Sequence, residues 1–243
     1  MTNKTGGINT EIKVNRQKLE TVTSFKYLGS VITDESSKPE IHSMIAQTTA
    51  ALARLKPVYN DRNISLSSKI WQMRSLVSSI FLYACESWTL TAELHWRIQA
   101  MEMRCYCKTQ GISCKDHVIN EEVSAKIQQA IRPREDLLTV IKRCKLQWYG
   151  HGSHSSGLAK TILQGTVEGG RRQCSQRKGW EDNFREWTGL EFAKFQRAVD
   201  NREKRRKLVA KSSVVPQRHS WLRDRWWWWW WNCKLCALDS CQL

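Results

Sequence analysis

Between Ser37 and Ala84 the chain twice repeats core-forming residues at steps of four and three, and no other feature narrows its fold as much. Ile41, Ile45, Thr48, Leu52 and Leu55 make the first stripe; Ile70, Met73, Val77, Ile80 and Ala84 make the second. That spacing gathers side chains on one side of an α-helix. Ser37 can cap the first helix, with Pro39 and Glu40 in its first turn, and Ser65 can cap the second. The connection "KPVYNDRNI" is short, so the two helices are expected to close as an antiparallel hairpin, apolar face to apolar face.

On the N-terminal side the period is two. "INTEIKVNRQKLETVTSFKYLGSVIT" alternates apolar and polar residues, with a turn at Asn15 and Arg16 and Gly29 inside the third run. This predicts a small antiparallel ribbon ending near Thr33. On the C-terminal side a third helix starts at Thr91, carries Leu94, Ile98, Met101 and Cys105, and stops at Gly111. A fourth begins near Asn120 with Glu121 and Glu122 in its first turn, and Pro133 interrupts or follows it. A fifth places Leu137, Ile141, Cys144 and Trp148 on one side before the break "GHGSHSSG".

Beyond that break the segment "QGTVEGGRRQCSQRKGWEDNFREW" is weakly periodic and reads as a loop or an arm that folds on its ligand. The capping box "TGLE", Thr188 to Glu191, announces a last helix with Phe192, Phe195 and Val199 on its apolar side, fading into "NREKRRKLVAK". Six consecutive tryptophans, Trp226 to Trp231, cannot all face a core. The tail is expected to be disordered and low in complexity, the product of repetitive DNA read in frame rather than a membrane-interface anchor.

A net charge of +16 favours polyanionic partners, and 41% apolar residues over 243 positions suffice for a core. No apolar run is long enough to span a bilayer and the N-terminus has no apolar signal core, so an intracellular protein, nuclear or cytoplasmic, without a membrane partner is expected. The odd count of nine cysteines, irregularly spaced, suggests reduced thiols.

"FKYLGSVIT", the basic helical hairpin, "SIFLYACESWTL", "MEMRC", "KLQWYGH" and "GTVEGGRRQCSQRKGWEDNFREWTGL" follow one another in an order that resembles the C-terminal part of the reverse transcriptases of non-LTR retrotransposons. The resemblance runs from about Asn3 to Arg225. It implies an α+β, mostly α architecture in five parts: a palm-edge, primer-grip-like β ribbon (1–35), a helical thumb-like bundle (36–150), a Gly/Arg/Trp-rich basic arm (151–188), a basic helix (189–225) and the tail (226–243). It also implies that Phe25, Tyr27, Leu28 and Gly29 are primer-grip residues. A glycine in a ribbon lets a sugar–phosphate backbone come close, and aromatics beside it can pack on sugars or bases. A purely structural reading of the same residues is strand core around a bulge.

Polymerase chemistry needs carboxylates that hold two metal ions about 4 Å apart. In the family these include an adjacent Asp pair just before the grip, and this sequence has no adjacent Asp pair. The resemblance therefore implies no polymerase activity for this chain alone, and Mg2+ only for a full-length parent enzyme. What it leaves is non-catalytic binding of RNA or an RNA–DNA hybrid. Arg171, Arg172, Arg177 and Lys178, interleaved with Trp180 and Trp187, offer phosphate contacts and stacking surfaces, and Lys204, Arg205, Arg206 and Lys207 form a second cluster. Such runs also serve as solvated faces or nuclear-localisation-like patches.

Zinc has three candidate sets: Cys105, Cys107, Cys114 and His117; Cys144, His151 and His154; and Cys233, Cys236 and Cys241. None supplies two clean ligand pairs, so neither metal nor cofactor is expected. Trp71, Trp96, Cys107 and Cys144 stand where the family usually carries basic or other polar residues, Cys174 where Gly is usual and Gly179 where a basic residue is usual; decay of CG-containing codons in a genomic copy would produce such changes to Cys and Trp. Two further readings stand beside nucleic-acid binding: a helical scaffold that binds another protein, and a translated relic without a selected role.

Overall fold

A computed structural model describes residues 13–14, 16–18, 22–33, 36–131, 135–154, 161, 163 and 178–214 of the chain. Its N-terminal ribbon consists of two separate hairpins. Strands β1 (Lys13–Val14) and β2 (Gln17–Lys18) pair antiparallel, and Arg16 has the left-handed φ of 67° that a tight turn requires. Strands β3 (Ser24–Tyr27) and β4 (Ser30–Thr33) pair with Phe25 opposite Ile32 and Tyr27 opposite Ser30. Leu28 and Gly29 connect them with φ of 49° and 88°, the two left-handed residues of a primed two-residue turn. Gly29 therefore lies at the hairpin's tip, not inside a strand run, because the chain reverses there.

Both predicted helical stripes are present. Helix α1 (Lys38–Arg54) buries Ile41, Met44, Thr48 and Leu52. A short helix α2 (Lys56–Asn60) occupies part of the connection, and α3 (Leu66–Gln72) starts at Ser65, whose hydroxyl accepts from the Ser68 amide at 3.2 Å. Ser37 flanks α1 but makes no cap bond; its hydroxyl instead accepts from the Thr89 amide at 2.9 Å, tying α1 to a distant loop.

The second stripe changes phase. A π-helical turn, Met73–Ser78, separates α3 from α4 (Ser79–Phe81). A π turn holds one more residue than an α turn. Burial passes from Ile70, Met73 and Val77 to Ser78, Phe81 and Cys85, leaving the expected Ile80 and Ala84 only partly covered.

Helix α5 (Ala92–Thr109) is capped by Thr91, which accepts from the Leu94 amide at 3.4 Å, and buries Leu94, Ile98, Met101 and Cys105 before Gly111. Helix α6 (Asn120–Ala130) opens with Glu121 and Glu122 and buries Val123 and Ile127. Pro133 lies outside the described residues. Helix α7 (Leu137–His154) runs into the expected break as far as His154. Its inner face holds Leu137 and Ile141 as predicted, then Lys142, Lys145, Leu146 and Tyr149, while Cys144 is half-buried and Trp148 is 46% exposed.

The reason is the packing that follows. Helices α8 (Asp182–Thr188), α9 (Phe192–Asp200) and α10 (Arg202–Val214) lie against α7 or against one another. They cover the lysine and tyrosine side of α7, so part of the expected ligand-folded arm belongs to the core: Asn183, Phe184 and Trp187 are buried. The "TGLE" box does not form. Thr188 ends α8, with its hydroxyl donating to the Phe184 carbonyl at 2.6 Å, and Glu191 precedes α9 without a side-chain bond. Asn201 divides α9 from α10 and caps the latter, its Oδ1 accepting from the amides of Glu203 and Lys204 at 3.0 and 3.1 Å.

Two hydrophobic clusters result. The larger joins α1 and α3–α6 to the start of α7 around Ile41, Phe81, Trp88, Ile98 and Ile127. The smaller joins α7, α8 and α9 through Leu146, Tyr149, Phe184, Phe195 and Val199, with the Phe184 and Phe195 rings stacked at 4.9 Å. Helix α10 closes on α7 at Gly150, where a Cβ would stand 2.4 Å from Arg205 Cδ. Among the described residues no helix is long and apolar enough to cross a membrane. The fold is α+β, mostly α, and the tail with its tryptophan run lies outside the described residues.

Candidate nucleic-acid interface

Phe25, Tyr27 and Leu28 are 57%, 56% and 74% exposed. They are therefore not strand core. Cross-strand register puts Phe25 and Ile32 on one face with Tyr27, and Ile32 is itself 40% exposed. An isolated hairpin of four-residue strands is marginal in water, so something must hold it. The buried carboxylate of Glu40 does this from α1, accepting from Ser30 Oγ at 2.9 Å and from the Val31 amide. The Tyr83 hydroxyl, from the turn after α4, donates to the Leu28 carbonyl.

The tip carries strain as well as apolar surface. A leucine at φ 49° sits where a primed turn prefers Asn, Asp or Gly. Gly29 has space around it, since a Cβ there would meet only Tyr83 Cε1 at 3.8 Å. Its φ is what demands glycine, so the residue serves the turn before it serves any approaching backbone.

The basic candidates divide. Arg171, Arg172 and Arg177 lie outside the described residues. Lys178 is half-buried and paired with Glu186. Trp180 is half-buried too: its Nε1 donates to the Glu86 carbonyl at 2.9 Å and its ring centroid is 4.7 Å from that of Phe184. Trp187 is buried. These two tryptophans pack the protein instead of presenting open stacking faces, because α8 folds onto α7. Lys204, Arg206 and Lys207 are exposed on α10, Lys207 within 3.4 Å of Glu203, an exposed pair of little energetic weight. Arg205 turns inward and donates to the Gly150 carbonyl at 3.1 Å. The hairpin rests on α1 and α10 on α7, so the two halves of the expected surface stand on different elements.

One strongly perturbed group is a residue that sequence reasoning passed over. Lys145 is fully buried, and its Nζ donates to the Trp88 carbonyl at 2.8 Å and to Asn183 Oδ1 at 2.9 Å, with the Trp180 ring centroid 4.7 Å away. Burial lowers its pKa to about 6 and the nearby Lys178 charge adds to the effect. A neutral amine has two N–H groups, and the site offers it two acceptors. Asn183 also exchanges hydrogen bonds with Leu90, its Oδ1 accepting from the amide and its Nδ2 donating to the carbonyl, so one buried Lys–Asn pair links α7, α8 and the loop before α5. The sequence does hold a signal: Lys145 lies four residues from both Ile141 and Tyr149, inside an apolar stripe.

Among the described residues the thiols do not gather into a metal site: no group of three or more His, Cys, Asp and Glu side chains could hold a metal ion. Cys105 is buried in the core, and burial pushes its pKa up to about 12. A hydrogen bond between Cys85 and Cys144 lowers the Cys144 pKa to about 7 and raises that of Cys85. Cys233, Cys236 and Cys241 lie outside the described residues. Of the Trp and Cys positions singled out in the sequence, Trp71 is 63% and Trp96 36% exposed, while Cys107 is half-buried like Cys144.

No protein-family model, curated protein or solved structure matches the chain.

Proposed function

We propose that this chain is a nucleic-acid-holding module of the non-LTR reverse-transcriptase type, which grips RNA or an RNA–DNA hybrid without extending it. The observation that carries the reading is the β3–β4 hairpin. It keeps Phe25, Tyr27 and Leu28 in solvent, one of them in a left-handed conformation, on a mount anchored by Glu40 and Tyr83. Exposed apolar surface and local strain at one tip are features that stability alone disfavours and a binding role accounts for. Aromatic faces stack on any base, while Lys204, Arg206 and Lys207 and the overall charge of +16 supply the phosphate-directed part. Lys26 adds a cation to the hairpin itself. The role needs no cofactor.

The test is fluorescence anisotropy of the full chain with labelled RNA–DNA hybrid and single-stranded RNA over a salt series. The reading predicts saturable binding that prefers the hybrid, falls steeply with salt, and weakens roughly tenfold or more when Phe25 and Tyr27 are both replaced by Ala, at the usual worth of base–aromatic stacking. Binding indifferent to those two substitutions would refute the hairpin's part in it. A protein partner is the second reading, favoured by Trp71 and Leu76, 63% and 49% exposed on the α3 and π-turn surface. It predicts association that is weakly salt-dependent and is lost with Trp71→Ala.

A further inference from the structure

Two cysteines that the nucleic-acid reading leaves unused meet between α7 and the turn that precedes α5. Cys85 opens the short 3-10 turn Cys85–Ser87, directly after Ala84 at a left-handed φ of 55°, and is wholly buried in the larger cluster. This turn rests on α7, where Cys144 packs against the same cluster while keeping part of its surface in solvent. A hydrogen bond joins the two thiols. Cys105, by contrast, spends its thiol within α5, on Met101 Sδ at 3.6 Å.

Their surroundings give the two sulfurs different chemistry. At Cys144 the bond from Cys85 and the charge of Arg143 outweigh partial burial and Glu86, and the pKa falls to about 7. At Cys85 the bond to Cys144, burial and Glu86 all raise it, so Cys85 keeps its proton and donates it to the Cys144 sulfur. Lys145, close to Cys85, is held neutral by burial and brings no charge above pH 7. A thiolate is the nucleophile, and here it is the sulfur on the residue that solvent reaches. A disulfide draws its sulfurs to about 2 Å, closer than a hydrogen bond holds them. The movement falls on the three-residue turn, since Cys144 is fixed in the 18-residue helix α7.

We propose that Cys85 and Cys144 form an oxidisable dithiol, in which a hydroperoxide is reduced at Cys144 and Cys85 then closes an intrachain disulfide. In the first step the Cys144 thiolate forms an S–O bond as the O–O bond breaks. The departing hydroxide takes a proton from solvent, and Cys144 is left as a sulfenic acid. In the second step the Cys85 sulfur attacks the Cys144 sulfur, the S–O bond breaks, and the hydroxide leaves as water with the Cys85 proton. The two thiols lose two electrons and two protons in all, and one hydrogen peroxide becomes two waters. The new bond staples to α7 the turn that follows Tyr83, the residue that holds the hairpin's tip. The assignment is independent of the nucleic-acid reading.

The test treats the folded full chain with hydrogen peroxide near neutral pH, blocks the remaining thiols with iodoacetamide and maps the peptides by mass. The peptide holding Cys85 is expected to be joined to the one holding Cys144, two hydrogens lighter than the separate pair, with slower amide exchange over 82–88 in the linked protein. The rate of linking should level off above about pH 7, where that of an ordinary thiol goes on climbing to about pH 8.5. Cys85→Ala should stop at the sulfenic acid, trapped by dimedone on Cys144, and Cys144→Ala should leave Cys85 unmodified. Absence of the Cys85–Cys144 link in the folded chain, or Cys144 bonded to another cysteine instead, would overturn the proposal. So would dimedone on Cys85 in Cys144→Ala, or a rate that climbs with pH as an ordinary thiol's does.

Discussion

Replacing Lys145 by Met should remove a pH dependence of stability that the native protein carries across the neutral range. In the unfolded chain the amine has its ordinary pKa of 10.5, and in the native state about 6. Between those values the unfolded state binds one more proton than the native state, so stability rises with pH, by about 1.4 kcal/mol per unit for one proton. From pH 7 to pH 9 the lysine's contribution grows by roughly 3 kcal/mol. At pH 7, keeping the amine neutral costs the native state on the order of 5 kcal/mol, since 1.36 kcal/mol accompanies each unit between the pH and the unfolded pKa. Methionine escapes that cost and fits the aromatic surroundings, but leaves the Trp88 carbonyl without the donor it now has, a loss of about 1–3 kcal/mol. Lys145→Met is therefore expected to equal or exceed the native protein in stability at pH 7 and to lose that advantage by pH 9. Urea unfolding at half-unit steps from pH 6.5 to 9, compared between the two proteins, reads the difference directly, because groups common to both, Cys144 among them, cancel. Parallel pH profiles would show that Lys145 is charged in the folded state and that the reasoning from its burial is wrong.

Glu40→Ala removes both bonds that hold β4 to α1; a loss of about 2–4 kcal/mol is expected, from the usual value of bonds to a charged acceptor, together with weaker hybrid binding. Leu28→Asn relieves the left-handed leucine and should raise the urea midpoint by the equivalent of about 1 kcal/mol while reducing hybrid affinity, the opposite signs marking a residue kept for binding. Gly150→Ala drives a methyl into Arg205 and should destabilise the packing of α10 on α7 by about 1–3 kcal/mol, visible as faster hydrogen exchange over 202–211. Replacing Lys204, Arg206 and Lys207 by Ala should flatten the logarithmic salt slope of RNA binding by roughly 0.7 for each phosphate these side chains neutralise; an unchanged slope would remove α10 from the interface.

What the sequence made legible was whatever depends on short-range period and local chemistry. The stripes through Ile41 and Ile70, the caps at Ser65 and Thr91, the stop at Gly111 and the start at Asn120 all appear in the structure because one turn of chain decides each of them. The π-helical turn after Gln72 was not legible: it follows from fitting Phe81 and Cys85 to α1 and α7, and nothing local marks it. Thr188 satisfied the pattern of a capping box, yet its hydroxyl had a closer partner in the helix already running, the Phe184 carbonyl. The arm illustrates the same limit. Its glycines and arginines concealed an apolar set, Phe184 and Trp187, which finds its counterpart only when α7 is present to bury it. At the candidate site the aromatics of the hairpin could be named in advance; their exposure, the Glu40 anchor and the Tyr83 bond could not, because they depend on partners nine or more residues away.

Hydrogen exchange of the full chain, with and without a saturating RNA–DNA hybrid, tests the central claim most directly. The account predicts that the hybrid slows exchange over 24–33, the β3–β4 hairpin, and that Phe25→Ala with Tyr27→Ala abolishes this effect. Protection confined to 202–214, or none on the hairpin at full occupancy, would mean that the charge of α10 holds nucleic acid without a grip, and would contradict the account.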